Sequence, residues 1–284
     1  MLNEVDPDDP HVAGRSCAVL GDPIEHSLSP AMHRAAYAEI GLQGWTYGRY
    51  RVDEAELADF LSICDERWRG LSLTRPLKVA ALQAGEPDET SLLAGGANTL
   101  VFDDDGTRRL YNTDVEGLTR SLRAVTSQVL SHVLLIGGGA TARSALVSAS
   151  QLGCQAVTVC VRRAEQGEAM RPLAERLGIE VSVLRWDDAL PTVDAAVSTV
   201  TAAAARTKAL ELAAAAPVIF DVVYDPWPTP LLQAAESAGA AVANGLDLLA
   251  HQAALQVELM TGHPIAAELL LSAGRAELKE RARA

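Results

Sequence analysis

One segment limits this chain more than any other. The apolar run Val133 to Ile136 ends in Gly137-Gly138-Gly139, and an alanine-rich stretch follows at once. A run with no polar alternation suits a strand covered on both faces, as in a parallel sheet flanked by helices. Glycines let the backbone turn sharply and approach a ligand closely. The helix that follows offers unpaired N–H groups and the positive end of its dipole. Gly137-Gly138-Gly139-Ala140-Thr141-Ala142 fits G-x-G-x-x-G/A in the strand–turn–helix setting that gives the pattern meaning. A doubly wound α/β unit that binds a dinucleotide is therefore expected. Without that setting the glycines would mark only a tight turn.

The surrounding pattern supports such a unit. Leu118, Leu122 and Val125 recur at helical spacing before the glycine turn. Strands are expected at Ala156–Val161, Val181–Leu184, Ala195–Thr199, Val218–Val223 and Ala240–Ala243, alternating with helices. The 284 residues leave room for a second α/β domain. Its strands are expected at Cys17–Leu20, Trp45–Val52 and Gly70–Thr74. Ser29-Pro30 opens a helix with Ser29 as N-cap and Pro30 at the first position, stopping at Gly41. Leu57, Phe60, Leu61 and Cys64 form a second helix, and Pro76 starts a third. Ala97–Phe102 and Arg108–Asn112 flank Asp-Asp-Asp-Gly-Thr as a hairpin or tight loop. Two closing helices, from about Leu246 and about Ile265, are expected to pack back on the first domain. The domains are then 1–114 with 246–284, and 115–245.

The net charge of −13 excludes nucleic acid and anionic membranes as natural partners, and requires any cations for an anionic ligand to be local. Cys17, Cys64, Cys154 and Cys160 form no C-x-x-C pair and read as buried free thiols in a reducing compartment. The first ten residues are acidic with two prolines, lack a signal-peptide core and are expected to be disordered. No apolar run reaches membrane-spanning length, so a soluble cytoplasmic protein is expected. A homodimer is compatible with this reading.

The end of the strand after the glycine turn selects the cofactor. An Asp or Glu there holds the ribose 2′-hydroxyl of NAD. Here the strand ends Val161-Arg162-Arg163, and two guanidinium groups suit the 2′-phosphate of NADP. Glu165 is the nearby residue that could make an NAD-type contact.

Polar residues gather where strands of the first domain end. They are His26-Ser27-Leu28-Ser29-Pro30, Thr74-Arg75-Pro76-Leu77-Lys78, Asn98-Thr99 and Asn112-Thr113-Asp114. Taken alone, Lys78 reads as a solvated helix residue and Asp114 as an N-cap. The segments nevertheless carry an ordered resemblance to the shikimate dehydrogenase family. G-x-P-I-x-H-S-x-S-P is Gly21 to Pro30, and N-V-T-x-P-x-K is Ser72 to Lys78. G-A-V-N-T is Gly95 to Thr99, and N-T-D is Asn112 to Asp114. Y-x-P-x-x-T-x-L-L is Tyr224 to Leu232, and G-x-x-x-L-x-x-Q is Gly245 to Gln252.

The resemblance implies a substrate-binding domain, a Rossmann-like domain, and reversible NADP-dependent reduction of 3-dehydroshikimate to shikimate, a step of chorismate and aromatic amino acid biosynthesis. It implies that Lys78 and Asp114 form the catalytic pair. Ser27 and Ser29 would bind the substrate carboxylate, and Thr74, Asn98 and Gln252 the ring hydroxyls. Tyr224 would lie near the substrate carboxylate and the nicotinamide, and Gly245 would line the nicotinamide pocket. Thr199 and Val222, at the ends of later strands, join the glycine turn and Arg162-Arg163 in the cofactor set.

Three positions depart from the family pattern. Ser72 replaces Asn, which is expected to cost a loop hydrogen bond. Val161-Arg162-Arg163 replaces N-R-T, and Asp247 replaces Met with no evident consequence. Two alternatives are an NAD-using quinate/shikimate dehydrogenase and a non-catalytic binding paralogue; loss of Lys78 or Asp114 would have marked the latter, and both are present. A metal enzyme built on His26, His33, His251 or the cysteines has no ligand spacing to support it.

Overall fold

The chain divides into two compact units. One contains the described residues through Thr113 and those from Leu249 onward; the other is Asp114–Leu248. The structure, a computed structural model, describes residues 14–283, so the expected disorder of residues 1–10 lies outside the described residues.

The first unit contains β1 (Ser16–Gly21), β2 (Thr46–Arg51), β3 (Trp68–Leu73), β4 (Glu86–Pro87), β5 (Thr99–Phe102) and β6 (Arg108–Tyr111). Their sheet order is β2-β1-β3-β5-β6-β4. β1 runs parallel to β2 and β3, whereas β5 is antiparallel to both β3 and β6. The Asp-rich stretch is the hairpin turn between β5 and β6, with Gly106 at φ 85°. β4 and the helix Glu89–Ala94 were not anticipated. That helix is capped by the Asp88 carboxylate, which accepts from the Ser91 N–H at 2.7 Å.

Side-chain alternation along β1 supplies two cores, because successive residues of a strand face opposite ways. Cys17 and Val19 join Met32, Tyr47, Val257 and Leu270 on one face. Ala18 and Leu20 join Phe60, Leu71, Leu77 and Leu100 on the other. Burying each large aliphatic side chain stabilises the fold by about 1.5–3 kcal/mol. The closing helix Ala267–Arg281 packs on the helix Ser29–Glu39. A Cβ on Gly274 would fall 2.4 Å from Met32 Cε, so the missing side chain lets the two helices approach.

The expected cap at Ser29 is corrected. The cap position is Leu28, fully buried and without a side-chain bond, and Ser29 is the first helical residue with Pro30 behind it. Ser27 Oγ accepts the Ser29 N–H at 3.3 Å, so that donor is already satisfied from outside the helix.

The second unit contains β7 (His132–Ile136), β8 (Ala156–Val161), β9 (Glu180–Arg185), β10 (Ala195–Ser198), β11 (Val218–Asp221) and β12 (Ala241–Asn244). Every pairing is parallel, in the order β12-β11-β10-β7-β8-β9. This is the doubly wound order, with two halves diverging from β7 and β10. Val133 to Ile136 are buried without alternation, as a strand covered on both faces must be. The four cysteines are free thiols, and Cys17, Cys154 and Cys160 are buried. Burial pushes the Cys17 thiol up to about 12, which makes it a poor nucleophile. Among the described residues, no helix is long and apolar enough to cross a membrane.

One core residue makes the first unit acid-sensitive. His33 is fully buried, stacks on Tyr47 at 3.9 Å between ring centroids, and lies 3.4 Å from Gln256 Oε1 through Nε2. Burial holds its pKa down to about 3, only partly offset by Gln256. The folded value lies below the unfolded one, so His33 favours the fold above the unfolded pKa and this contribution is lost as pH falls. Between pH 6.5 and pH 5 that loss amounts to about 2 kcal/mol. His33→Asn, which cannot take up a proton there, should show a smaller drop in urea midpoint from pH 7 to pH 5 than the parent chain. Equal drops would contradict this account.

Candidate active site

The mixed sheet of the first unit brings the polar segments to one end. The carboxyl end of β1 leads to Ser27 and Ser29, and that of β3 to Thr74 and Lys78. β5 runs the other way, with Ser72 paired to Thr99, so its amino end with Asn98 lies at the same edge. Thr99 pairs with Tyr111, so the carboxyl end of β6 brings Asn112 and Thr113 there too. Backbone bonds lock the junctions. The Leu73 N–H donates to the Asn98 carbonyl at 2.7 Å, and the Asn98 N–H to the Tyr111 carbonyl at 3.1 Å.

Asn98 is the hub. Its Nδ2 donates to Thr113 Oγ1 at 2.9 Å and to Gln252 Oε1 at 3.1 Å. Its Oδ1 accepts from the Thr113 N–H at 2.8 Å and from Thr99 Oγ1 at 3.0 Å. Behind it, Gln256 Nε2 donates to the Asn98 carbonyl at 3.1 Å and to Thr99 Oγ1 at 2.9 Å. Gln252 and Gln256 stand one turn apart on the helix Gly245–Thr261, on one face. Thr113 was picked out only as part of the N-T-D segment, and Gln256 and Tyr47 were not picked out from the sequence. The spacing of the two glutamines was the available signal for Gln256.

Ser72 does not sit in a loop, as its replacement of Asn had suggested. It is a buried β3 residue that accepts from Tyr47 Oη at 2.5 Å and donates to Gln256 Oε1 at 2.8 Å. The shorter side chain lies where a tyrosine hydroxyl and a glutamine complete its bonding. Thr74 Cγ2 is close enough to Gly21 that a Cβ there would fall 2.4 Å from it. Lys78 is half-buried on the short helix Leu77–Ala80, and its carbonyl accepts the Ala97 N–H at 2.8 Å. Asp114 is buried at 5% exposure and is not an N-cap. It lies inside the first turn of the helix Thr113–Val125, where the helix dipole favours a carboxylate.

In the second unit the glycine turn has the geometry that a pyrophosphate needs. Gly137 has φ 113°, a conformation that strains other residues, and a Cβ there would fall 2.4 Å from Thr199 Oγ1. Gly138 approaches Gln166, whereas a Cβ on Gly139 would meet nothing within 4 Å. Gly139 precedes the helix Ala140–Gln151 and supplies no side-chain cap, so the first-turn N–H groups of Ala140, Thr141 and Ala142 face the turn. Ala142 is fully buried, which seats the helix on the sheet. Arg162 and Arg163 are exposed at the end of β8.

Gly245 approaches the β11 strand end so closely that a Cβ would fall 2.4 Å from the Val222 carbonyl oxygen. Asp247 belongs to a helix cap. Its Oδ2 accepts the Asn244 N–H at 3.1 Å, while Asn244 Oδ1 accepts from the Leu246 and Asp247 N–H groups at 3.0 and 3.2 Å. This reciprocal capping box starts the helix at Gly245. The segment carrying Tyr224 is bridged at its base, because Thr229 Oγ1 donates to Asp221 Oδ2 at 2.7 Å.

A doubly wound sheet with a phosphate-ready turn, together with a second α/β unit whose polar groups meet at one sheet edge, defines a dinucleotide-dependent enzyme class. Residues 19–100 match the family described as "Shikimate dehydrogenase substrate binding domain", and residues 245–273 match "Shikimate 5'-dehydrogenase C-terminal domain". The chain is 38% identical over 268 residues to "Shikimate dehydrogenase (NADP(+))" of Methanothrix thermoacetophila, covering 92% of this chain and 97% of that one. A shikimate 5-dehydrogenase structure from Mycobacterium fortuitum is 40% identical with a TM-score of 0.83, covering 93% of this chain and 99% of that one. The Thermus thermophilus enzyme, solved in complex with NADP(H) and shikimate, is 29% identical with a TM-score of 0.78, over 92% and 99% of the two chains. The chain belongs to the shikimate dehydrogenase family.

The Asp221 carboxyl offers a check on this geometry. Burial pushes it up to about 6, against the opposing bond from Thr229. The folded value exceeds the unfolded one, so this contribution to stability is present below about pH 4 and is lost as pH rises through 6. By pH 7.5 the loss is on the order of 3 kcal/mol. Asp221→Asn should raise the urea midpoint at pH 7.5 and leave it nearly unchanged at pH 4. The same shift at both pH values would contradict the assignment.

Proposed function

We propose that this chain is an NADP-dependent shikimate dehydrogenase that interconverts 3-dehydroshikimate and shikimate. The observation that carries the proposal is the hub at Asn98, where Thr113 and Gln252 converge within a chain similar over nearly its whole length to enzymes of that name. Residues through 114 and from 246 onward form the substrate-binding part, and 115–245 the cofactor-binding part. Ser27 and Ser29 donate hydroxyl hydrogen bonds to the substrate carboxylate. Thr74, Asn98 and Gln252 orient the ring hydroxyls, Asn98 and Gln252 by exchanging their mutual Nδ2–Oε1 bond for bonds to the substrate, and Tyr224 stands near the carboxylate and nicotinamide end.

The backbone of Gly137 to Ala142 holds the pyrophosphate, Arg162 and Arg163 the 2′-phosphate, and Thr199, Val222 and Gly245 the nicotinamide half. Bound NADP accepts the hydride from the carbinol carbon during oxidation and, reduced, returns it to the ketone. Lys78 and Asp114 handle the proton. In the reductive direction negative charge grows on the ketone oxygen, and the Lys78 ammonium donates a hydrogen bond and then the proton. Asp114 orients the lysine. The enzyme works in the cytoplasm, a setting in which four unpaired cysteines remain reduced.

Lys78→Ala should lower kcat by about 10²–10⁴-fold. Its NADP affinity, measured by titration of cofactor fluorescence, should stay within about threefold, because Lys78 contacts the reacting oxygen and not the cofactor phosphates. Turnover close to that of the parent chain would remove Lys78 from the catalytic pair.

A further inference from the structure

Arg281 ends the closing helix, beyond the 245–273 segment that matches the family's C-terminal domain. Packing determines its position. Gly274 faces Met32 at the close approach between the closing helix and Ser29–Glu39. Arg281 comes seven residues later, two turns along the same face. The helices run antiparallel, so those two turns carry Arg281 past the start of the Ser29 helix.

There its guanidinium forks across two consecutive carbonyls. Nη1 donates to His26 O at 3.0 Å and Nη2 to Ser27 O at 3.1 Å. Nε donates to Glu277 Oε1 at 2.7 Å, one turn back. From β2, Arg49 Nη1 donates to Glu25 O at 2.9 Å. Three successive carbonyls of one loop are thus held by guanidinium groups. On the other side of the same loop, the Ser27 N–H reaches Ile24 O at 2.9 Å and Ser27 Oγ accepts the Ser29 N–H. A cation at a helix N-terminus opposes the helix dipole, so its charge does not benefit the helix itself. That charge is paired with the Glu277 carboxylate, so what Arg281 contributes to the loop is the geometry of its fork.

We propose that Arg281 is a positioning residue for the substrate carboxylate. It fixes the His26–Ser27 backbone so that the hydroxyls of Ser27 and Ser29 converge. The inference rests on the reading of Ser27 and Ser29 as carboxylate ligands. Arg281 itself touches no substrate. Lysine in its place keeps the charge but lacks the planar fork that spans two carbonyls.

The test is steady-state kinetics of Arg281→Met and Arg281→Lys, with Ser27→Ala as reference, on shikimate and on its uncharged methyl ester. Arg281→Met should raise KM for shikimate about tenfold, as loss of charge-assisted bonds implies, with kcat and the KM for NADP nearly unchanged. The effect should shrink with the methyl ester, and Arg281→Lys should recover part of the loss. If Ser27→Ala raises KM and Arg281→Met does not, the inference is overturned while the serine reading stands. If neither raises KM, the serine reading fails and the inference fails with it. If Arg281→Met lowers kcat and raises both KM values alike, with no recovery by lysine, Arg281 is a general structural residue and the inference is overturned.

Discussion

The first unit depends on the Asn98 amide. All of its donors and acceptors are used, and they tie the start of β5 to Thr113 after β6 and to Gln252 on a helix more than 150 residues away. A buried amide left with one unmatched group loses about 1–3 kcal/mol, so each partner stabilises the others. Gln256 and Ser72 extend the same network to Tyr47 and the stacked His33. The polar groups at this sheet edge are therefore the visible end of a bonded layer that continues into the core. Such a layer holds side chains in one geometry, as orientation of a ring substrate requires.

The second unit obtains its geometry from close backbone approaches. Gly137 against Thr199 and Gly245 against Val222 each leave no room for a Cβ. Both contacts lie at carboxyl ends of parallel strands, where ligands of this fold class bind. The Asn244–Asp247 box starts the helix at the close contact, and the Asp221–Thr229 bond bridges the base of the Tyr224 segment. One unit thus relies on side-chain hydrogen bonds and the other on glycine.

What could be read from the sequence was local or carried by ordered motifs. The glycine turn, the uninterrupted strand before it and the β5–β6 hairpin are signalled by neighbouring residues, and each lies where expected. Features that depend on distant pairing left no such mark. Tyr47, Gln256 and Arg281 gain meaning only when strand order and helix packing bring them to Ser72, Asn98 and Ser27. Ser29 was misread because Ser-Pro is a good helix start, yet Ser27 already accepts its N–H and the buried Leu28 occupies the cap position. Taken alone, Asp114 reads as an N-cap, whereas the helix begins one residue earlier, at Thr113. Asp247 was legible in principle, since Asn-x-x-Asp is a capping pattern, but a helix expected from about Leu246 rather than Gly245 takes Asn244 out of the cap position.

Reaction and cofactor can be tested together, because the proposed function couples oxidation of shikimate to an NADP whose 2′-phosphate Arg162 and Arg163 would hold. The most direct measurement is the initial rate of oxidation of shikimate and of quinate, each with NADP and with NAD. The account predicts the highest kcat/KM for shikimate with NADP, exceeding that with NAD by more than about tenfold, the worth of one or two charge-assisted phosphate contacts. A preference for NAD, or faster oxidation of quinate than of shikimate, would contradict it.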